Sequence, residues 1–209
     1  MPRILVFGDS NSWGFEPGTG RRYPKGTRWP TVMHESLGND WELVEEALNG
    51  RTTVFDDPIE PYRSGVAYWP ACLLSHAPLD VIIIALGIND LKRRFSLSAA
   101  DIAGGAARLV QIAQQLAVDE EGRHPQIILV SPPRLAKLSD LADTFAGGAE
   151  TSHQLRAQFA KTAEALGVHF IALGDSVALS DIDGIHLDAE GHKIWGRKMA
   201  ELVKTLPRS

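Results

Sequence analysis

One apolar segment, residues 79–86, constrains the fold of this chain more than any other feature of its sequence. It contains valine, isoleucine, leucine and alanine at every position except Asp80, and it stops at Gly87. A short apolar run without polar alternation is buried on both faces, which is typical of a central strand in a parallel sheet. Parallel strands are joined by long crossovers, usually helices, so this segment predicts an α/β fold.

The rest of the chain supplies the elements that such a fold needs. Other strands are predicted near residues 4–7, 41–48, 126–130 and 168–173, and helices over residues 30–37, 65–76, 98–119, 151–166 and 188–206. Glu45 and Glu46 favour an edge position for the second strand, and helical spacing places Leu116 and Ile194 on buried faces. We therefore expect one domain over residues 1–209. Its architecture is three-layer α/β/α, with a five-stranded parallel sheet in the flavodoxin-like order 2-1-3-4-5.

Composition excludes several classes of function. A chain of 209 residues that is 44% hydrophobic can bury a full core, while a net charge of −5 and no basic run argue against nucleic-acid binding. Neither a signal peptide nor a membrane-spanning segment is evident, so we expect a cytoplasmic protein. Cys72 is the only cysteine, which excludes an intrachain disulfide and zinc frameworks built on thiolates.

Turn residues follow three strands that this topology makes neighbours. Ser10 follows the first strand, Gly50 the second and Asn89 the third. In open α/β sheets, ligands and catalytic groups collect at the carboxyl ends of strands, where the strand order reverses. The order 2-1-3 therefore predicts that these three turns meet in one crevice.

These turns carry the groups that acyl transfer requires. A serine hydroxyl needs an adjacent base, itself oriented by a carboxylate, and Asp183 and His186 offer that pair within one loop. The N–H groups of Ser10 and Gly50 and the amide of Asn89 are candidate donors to an oxyanion. Singly, Ser10 is explained as a helix cap, His186 as a surface histidine and Asn89 as a turn residue. Their conjunction favours nucleophilic catalysis.

Together these segments resemble the SGNH hydrolase (GDSL esterase/lipase) superfamily. The resemblance implies that Ser10 is the nucleophile, His186 the base and Asp183 its orienter, and that Ser10, Gly50 and Asn89 form the oxyanion hole. It implies no metal and no organic cofactor. Longer matches, which resemble the arylesterase/acyltransferase branch, cover residues 7–14, 46–53 and 86–90.

The same resemblance implies a substrate class and a quaternary state. We expect a small-molecule ester substrate with a short, acetyl-type acyl group. We also expect a homo-oligomer in which the long loops at residues 16–28 and 56–64 narrow the entrance. Position 11 is asparagine where the family name has leucine, which predicts a more polar pocket. The expected substrate contacts are Asn11, Trp13 and Ile185. Aromatic residues that could wall the crevice, or equally pack in the core, are Trp13, Phe15, Trp29, Tyr68 and Trp69.

Two other functions are compatible with parts of this pattern. In a non-catalytic flavodoxin-like module, Ser10 and Ser12 would hold a phosphate or nucleotide at a helix start. That reading gives the other turns no role. A metal-dependent hydrolase would instead use Asp183, His186, Asp188 and His192, although His192 falls well inside the last predicted helix.

Overall fold

The computed structural model describes residues 1–207 of the chain, and it contains the predicted parallel sheet. The strands, in chain order, are β1 Arg3–Gly8, β2 Glu42–Ala47, β3 Val81–Ala85, β4 Gln126–Ser131 and β5 His169–Ala172. Their order across the sheet is β2-β1-β3-β4-β5, and every neighbouring pair is parallel. The predicted order 2-1-3-4-5 and the three-layer α/β/α class are therefore confirmed.

Helices cover both faces of this sheet. The α-helices are α1 Ser10–Trp13, α2 Trp29–Leu37, α3 Gly65–His76, α4 Ala99–Leu116, α5 Gly148–Leu166 and α6 Ala189–Thr205. On one face α2 packs against α6, and on the other α4 packs between α3 and α5. Within residues 1–207, no helix combines the length and the apolar character needed to cross a membrane.

The core lies between these layers and is densest around β1 and β3. Ile82, Ile83 and Ile84 are fully buried, as the unbroken apolar run predicts, although the strand is shorter than the predicted residues 79–86. Every residue of β2 is only half-buried, in accord with its place at the sheet edge. The central strands thus present their carboxyl ends from a rigid, buried base.

Two predicted core residues lie at the surface. The side chains of Leu116 and Ile194 are 37% and 41% exposed. Leu116 is the last residue of α4, which ends before the predicted residue 119. The buried stripe of α6 contains Trp195 and Met199, and Ile194 lies about 100° around the helix from Trp195.

Candidate active site

The carboxyl end of β1 holds the turn that follows β2. The Gly8 carbonyl accepts hydrogen bonds from the Leu48 N–H at 3.1 Å and from Arg51 Nη1 at 3.1 Å. The Arg51 guanidinium also stacks over the Phe7 ring, 4.2 Å from its centroid. These contacts fix the turn at residues 48–51, and with it Gly50, beside the start of α1.

A buried carboxylate joins this turn to the one after β3. Asp90 accepts hydrogen bonds from the Thr53 N–H at 3.1 Å and from the Thr53 hydroxyl. Its neighbour Asn89 donates from Nδ2 to the Arg51 carbonyl at 3.1 Å. The Asn89 amide therefore lies next to Gly50, as the convergence of strand ends predicts.

Gly50 occupies a position that no other residue fits well. Its φ is +78°, in the left-handed region where side chains are strained. A Cβ added there would lie 2.9 Å from the Glu60 carboxylate and 3.2 Å from Arg63. The loop at residues 56–64 thus packs directly on the turn that contains Gly50. Lys92 holds this loop in place, because its Nζ lies 2.7 Å from Glu60 and 3.3 Å from Asp57.

The loop before α6 brings its histidine and aspartate to Ser10. His186 Nε2 lies 2.8 Å from Ser10 Oγ, and His186 Nδ1 lies 2.7 Å from Asp183 Oδ2. All three residues are buried, with 4%, 7% and 8% exposure for Ser10, His186 and Asp183. With its proton on Nδ1, the ring donates to Asp183 and accepts from the serine hydroxyl, which is the geometry of a serine, base and orienter.

Asp183 also shapes the loop that carries it. Its Oδ1 accepts from the N–H groups of Ile185 at 2.9 Å and His186 at 3.0 Å. Burial pushes the pKa of Asp183 upward, but the hydrogen bonds from the His186 ring and these two N–H groups outweigh it, so the pKa lies below its usual value. The group therefore stays ionised and keeps the imidazole proton on Nδ1.

The aromatic residues predicted near the crevice have different positions in the fold. Phe15 stacks on the His186 ring, with centroids 4.2 Å apart, and covers one of its faces. Trp13 is partly exposed and carries the Arg22 guanidinium 5.1 Å from its ring. Trp29 and Trp69 are fully buried in the core. Of the five predicted aromatic residues, Phe15 is the one whose ring stacks on a proposed triad residue.

Two of the three predicted substrate contacts have other positions. The side chain of Ile185 is 2% exposed and packs in the hydrophobic core. Asn11 is 7% exposed and its amide bonds to the backbone on both sides of His186, so it adds no free polar group to a pocket. Sequence spacing does not predict these positions, because it carries no information on the hydrogen-bond partners of a side chain in the folded protein.

Residues with no role assigned from the sequence complete the framework. Arg51 and Thr53 lie within a matched segment but carry no signal for a structural task until the strands are placed. The sequence gives no indication of a structural role for Lys92 either, since a lysine after a strand is ordinarily solvated. Only the tertiary structure brings them to the turns that they hold.

Two buried carboxyls beneath the turns have raised pKa values. Burial raises the pKa of Asp9 to about 7 and that of Asp90 to about 6; the two carboxylates also repel each other. The pKa of an aspartate in an unfolded chain is about 3.9. The folded chain therefore holds these protons more tightly than the unfolded chain does. It follows that their contribution to stability is full below about pH 4 and is lost as pH rises through about 6 to 7.

We expect Asp9→Asn to reduce this pH dependence. An asparagine Oδ1 can still accept the Asn11 N–H that Asp9 now accepts at 2.9 Å, and it has no charge to desolvate. The free energy of unfolding of the variant minus that of wild type should therefore be larger at about pH 8 than at about pH 5. Urea unfolding at both pH values measures this, with the exposed Asp181→Asn as control. A stability difference that does not change with pH would contradict the assignment.

The residues suggested for a metal site have other partners. Asp188 caps α6 through the Gly191 N–H at 2.7 Å, and the buried His192 accepts from the Trp29 N–H at 3.3 Å. Desolvation lowers the pKa of His192 to about 4, so its ring is neutral. With the His186 ring held between Ser10 and Asp183, these residues are not gathered around one point.

Within residues 1–207, one other group has the composition of a metal site. Atoms of Glu46, Cys72 and His76 lie within 4.8 Å of one another. The Glu46 carboxylate is already bonded by His76 Nε2 at 2.8 Å and by the Tyr68 hydroxyl at 3.2 Å. Burial raises the pKa of the Cys72 thiol to about 12, so the thiolate that would bind a metal is disfavoured. Hydrogen bonding accounts for this cluster without an ion.

Comparison with known proteins gives a consistent result. The GDSL-like lipase/acylhydrolase family matches residues 6–194. Est24, a carbohydrate acetylesterase from Sinorhizobium meliloti, is 36% identical, with a TM-score of 0.94 over 99% of this chain and 100% of that one. An aryl esterase from M. smegmatis is 35% identical with the same TM-score and coverage.

A more distant structure shares the fold alone. A member of the lipolytic G-D-S-L family from Veillonella parvula is 15% identical, with a TM-score of 0.70 over 99% of this chain and 100% of that one. No curated protein matches the sequence significantly.

Proposed function

This chain belongs to the GDSL-like lipase/acylhydrolase family, and we propose that it is a serine esterase acting through an acyl-Ser10 intermediate. The proposed substrates are short-chain, acetyl-type esters of aryl, alkyl or sugar alcohols. Full-length relatives at 35% and 36% identity, named as an aryl esterase and a carbohydrate acetylesterase, support this class of reaction.

One observation carries the proposal: the hydrogen-bonded series from Ser10 Oγ through the His186 ring to Asp183 Oδ2, with distances of 2.8 and 2.7 Å. A serine hydroxyl is a poor nucleophile until a base within about 2.6–3.2 Å takes its proton. His186 Nε2 lies within that range. The ionised Asp183 opposite stabilises the imidazolium that forms when the proton moves.

The proposed reaction has two steps. Ser10 Oγ attacks the ester carbonyl carbon while its proton passes to His186 Nε2. The tetrahedral intermediate then collapses, and His186 gives that proton to the departing alcohol. Water next attacks the acyl-Ser10 carbonyl with His186 again as base, which frees the acid and restores the hydroxyl. A second alcohol in place of water would give acyl transfer.

The oxyanion of each intermediate needs donors that are already in place. We assign this role to the backbone N–H groups of Ser10 and Gly50 and to the Asn89 amide. The support is that Asn89 Nδ2 bonds to the carbonyl of residue 51, directly beside Gly50. Donors held by a rigid framework need no reorganisation during reaction, and one such donor typically contributes about 10²–10³ to kcat.

A small acyl group suits this site best. Ser10 and Asn89 are 4% and 5% exposed, and such closely packed surroundings favour a compact acyl group. We expect kcat/KM for p-nitrophenyl esters to fall from acetate through butyrate to octanoate, by about tenfold or more overall. Initial rates of p-nitrophenol release measure the series. A preference for octanoate would contradict the proposed acyl specificity, whereas no turnover of any ester would contradict the esterase itself.

The phosphate-binding alternative is not favoured. The Ser12 hydroxyl that it requires belongs to a residue only 1% exposed, with no hydrogen-bond partner in residues 1–207. A phosphate on Ser10 alone would leave the bonded pair Asp183 and His186 without a task. The named neighbours are esterases.

Three further expectations belong to the same proposal. Residues 1–209, of which 208 and 209 lie outside the described residues, form one SGNH hydrolase domain, and the family match covers 6–194 of them. The protein acts in the cytoplasm. It assembles as a homo-oligomer through the loops at residues 16–28 and 56–64; Ile59 and Tyr62 on the second loop are 71% and 91% exposed, which suits a surface that a second copy covers.

A further inference from the structure

The side chain next to the nucleophile bonds to both sides of the base. Asn11 Nδ2 donates to the Ile185 carbonyl at 3.0 Å, and Asn11 Oδ1 accepts from the Leu187 N–H at 2.9 Å. These two backbone groups immediately flank His186. Asn11 is 7% exposed, so the bonds lie in a buried setting where a lost partner is costly.

The other hydrogen bonds of this loop fix its shape rather than its distance from Ser10, and Phe15 stacks on one face of the His186 ring. The Ser180 N–H donates to the His186 carbonyl at 2.8 Å, and the Ala136 N–H donates to the Gly184 carbonyl at 2.9 Å. Both bonds tie the loop to itself or to the segment after β4. Within the described residues, the hydrogen bonds between α1 and residues 183–187 are those of Asn11 and the Ser10–His186 contact itself.

Two consecutive residues of α1 therefore bind the loop at residues 183–187, which is called the base loop because it carries His186. Ser10 is hydrogen-bonded to the His186 imidazole, while Asn11 is hydrogen-bonded to the peptide groups before and after His186. Proton transfer requires the hydroxyl and Nε2 within hydrogen-bond reach, and a misplacement of about 1 Å can cost about 10²-fold in rate. A leucine, which the family name has at this position, could form neither bond.

We propose that Asn11 is a positioning residue that sets the distance from Ser10 Oγ to His186 Nε2. This inference rests on the proposed function, because it assigns Asn11 a task in the same reaction. It replaces the expectation that Asn11 contacts substrate. A substrate contact would act mainly on KM, whereas a positioning residue acts on kcat.

The test compares two variants with a matched control. Asn11→Leu is close in size and removes both hydrogen bonds; Asn11→Asp keeps an acceptor for the Leu187 N–H and loses the donor. The control is Gln114→Leu, which removes a side-chain amide bond to the Leu166 carbonyl, at 2.9 Å, near the carboxyl end of α4. Each variant is assayed below its unfolding midpoint, as determined by circular dichroism.

We expect Asn11→Leu to lower kcat for p-nitrophenyl acetate by about 10–10²-fold with KM little changed. The rate at which an organophosphonate labels Ser10 should fall by the same factor, because labelling uses the same proton transfer. The shape of the pH profile of kcat/KM should remain, since Asp183 and His186 keep their bond. Asn11→Asp should show a smaller loss in the same parameters, and Gln114→Leu no loss.

Several outcomes would overturn the inference. Wild-type kcat in folded Asn11→Leu, or in Asn11→Asp if the leucine variant does not fold, would show that the bonds do not set the distance. A change in KM alone would return Asn11 to a substrate contact, and an equal loss in Gln114→Leu would assign the effect to stability. If wild type itself fails to react with the phosphonate, the proposed function fails rather than the role of Asn11.

Discussion

Replacing Ser10 by alanine is expected to lower kcat for p-nitrophenyl acetate by about 10⁴-fold or more while leaving the fold intact. The variant keeps the binding crevice and oxyanion donors but has no oxygen to form the acyl-enzyme. Ser10 Oγ bonds only to His186 among the described side chains, so its removal costs little structure. Activity is measured by p-nitrophenol release, and folding by circular dichroism.

The matched control for Ser10→Ala is Ser12→Ala on the same short helix. The Ser12 hydroxyl is buried and has no partner within residues 1–207, so its loss should leave kcat within about twofold of wild type. Turnover by Ser10→Ala as fast as by wild type would refute the assignment of the nucleophile. Equal losses in both variants would indicate damage to α1 rather than to chemistry.

Asp183→Asn is expected to lower kcat by about 10⁴-fold. An asparagine Oδ1 can still accept the N–H groups of Ile185 and His186, so the loop should keep its shape. Its NH₂ group, however, would donate toward His186 Nδ1 and force the ring proton onto Nε2. The ring could then no longer accept the proton of Ser10.

The exposed neighbour Asp181 provides the comparison for this variant. Asp181→Asn removes the same charge from the same loop without a hydrogen bond to the imidazole, and its kcat should match that of wild type. Parallel assays of kcat and thermal unfolding separate the two effects. Retention of wild-type kcat by Asp183→Asn would contradict its role as the orienter of His186.

The sequence predicted the sheet well because the strongest signals were also the most local. An unbroken apolar run identifies β3, and the chirality of crossovers then leaves few possible orders for the other strands. The carboxyl ends of β2, β1 and β3 must then be neighbours. The sequence therefore predicts that Ser10, Gly50 and Asn89 lie close together.

What the sequence did not predict are contacts that depend on side-chain direction. Nothing in the spacing indicates that Arg51 reaches back to the Gly8 carbonyl, or that Phe15 stacks on His186. From the sequence, Ile185 and Asn11 are expected substrate contacts. Instead, the side chain of Ile185 packs in the core and that of Asn11 bonds to the loop that carries His186. Tertiary packing, not position in the chain, determines these directions.

The helix corrections have the same origin. Helical spacing assigns a face, but the width of that face and the end of the helix depend on what lies opposite. Leu116 is the last residue of α4 and is not among its buried residues, and Ile194 lies outside the stripe that α6 buries against α2. Periodicity alone could not distinguish these positions from the neighbouring buried ones.

The most direct test of the central claim is a crystal structure of wild type after reaction with a short-chain organophosphonate. The phosphorus mimics the tetrahedral carbon of the intermediate. We predict that it is bonded to Ser10 Oγ, with its free oxygen within about 3 Å of the N–H groups of Ser10 and Gly50 and of Asn89 Nδ2. A label on another residue, or a phosphoryl oxygen directed away from these donors, would contradict the account.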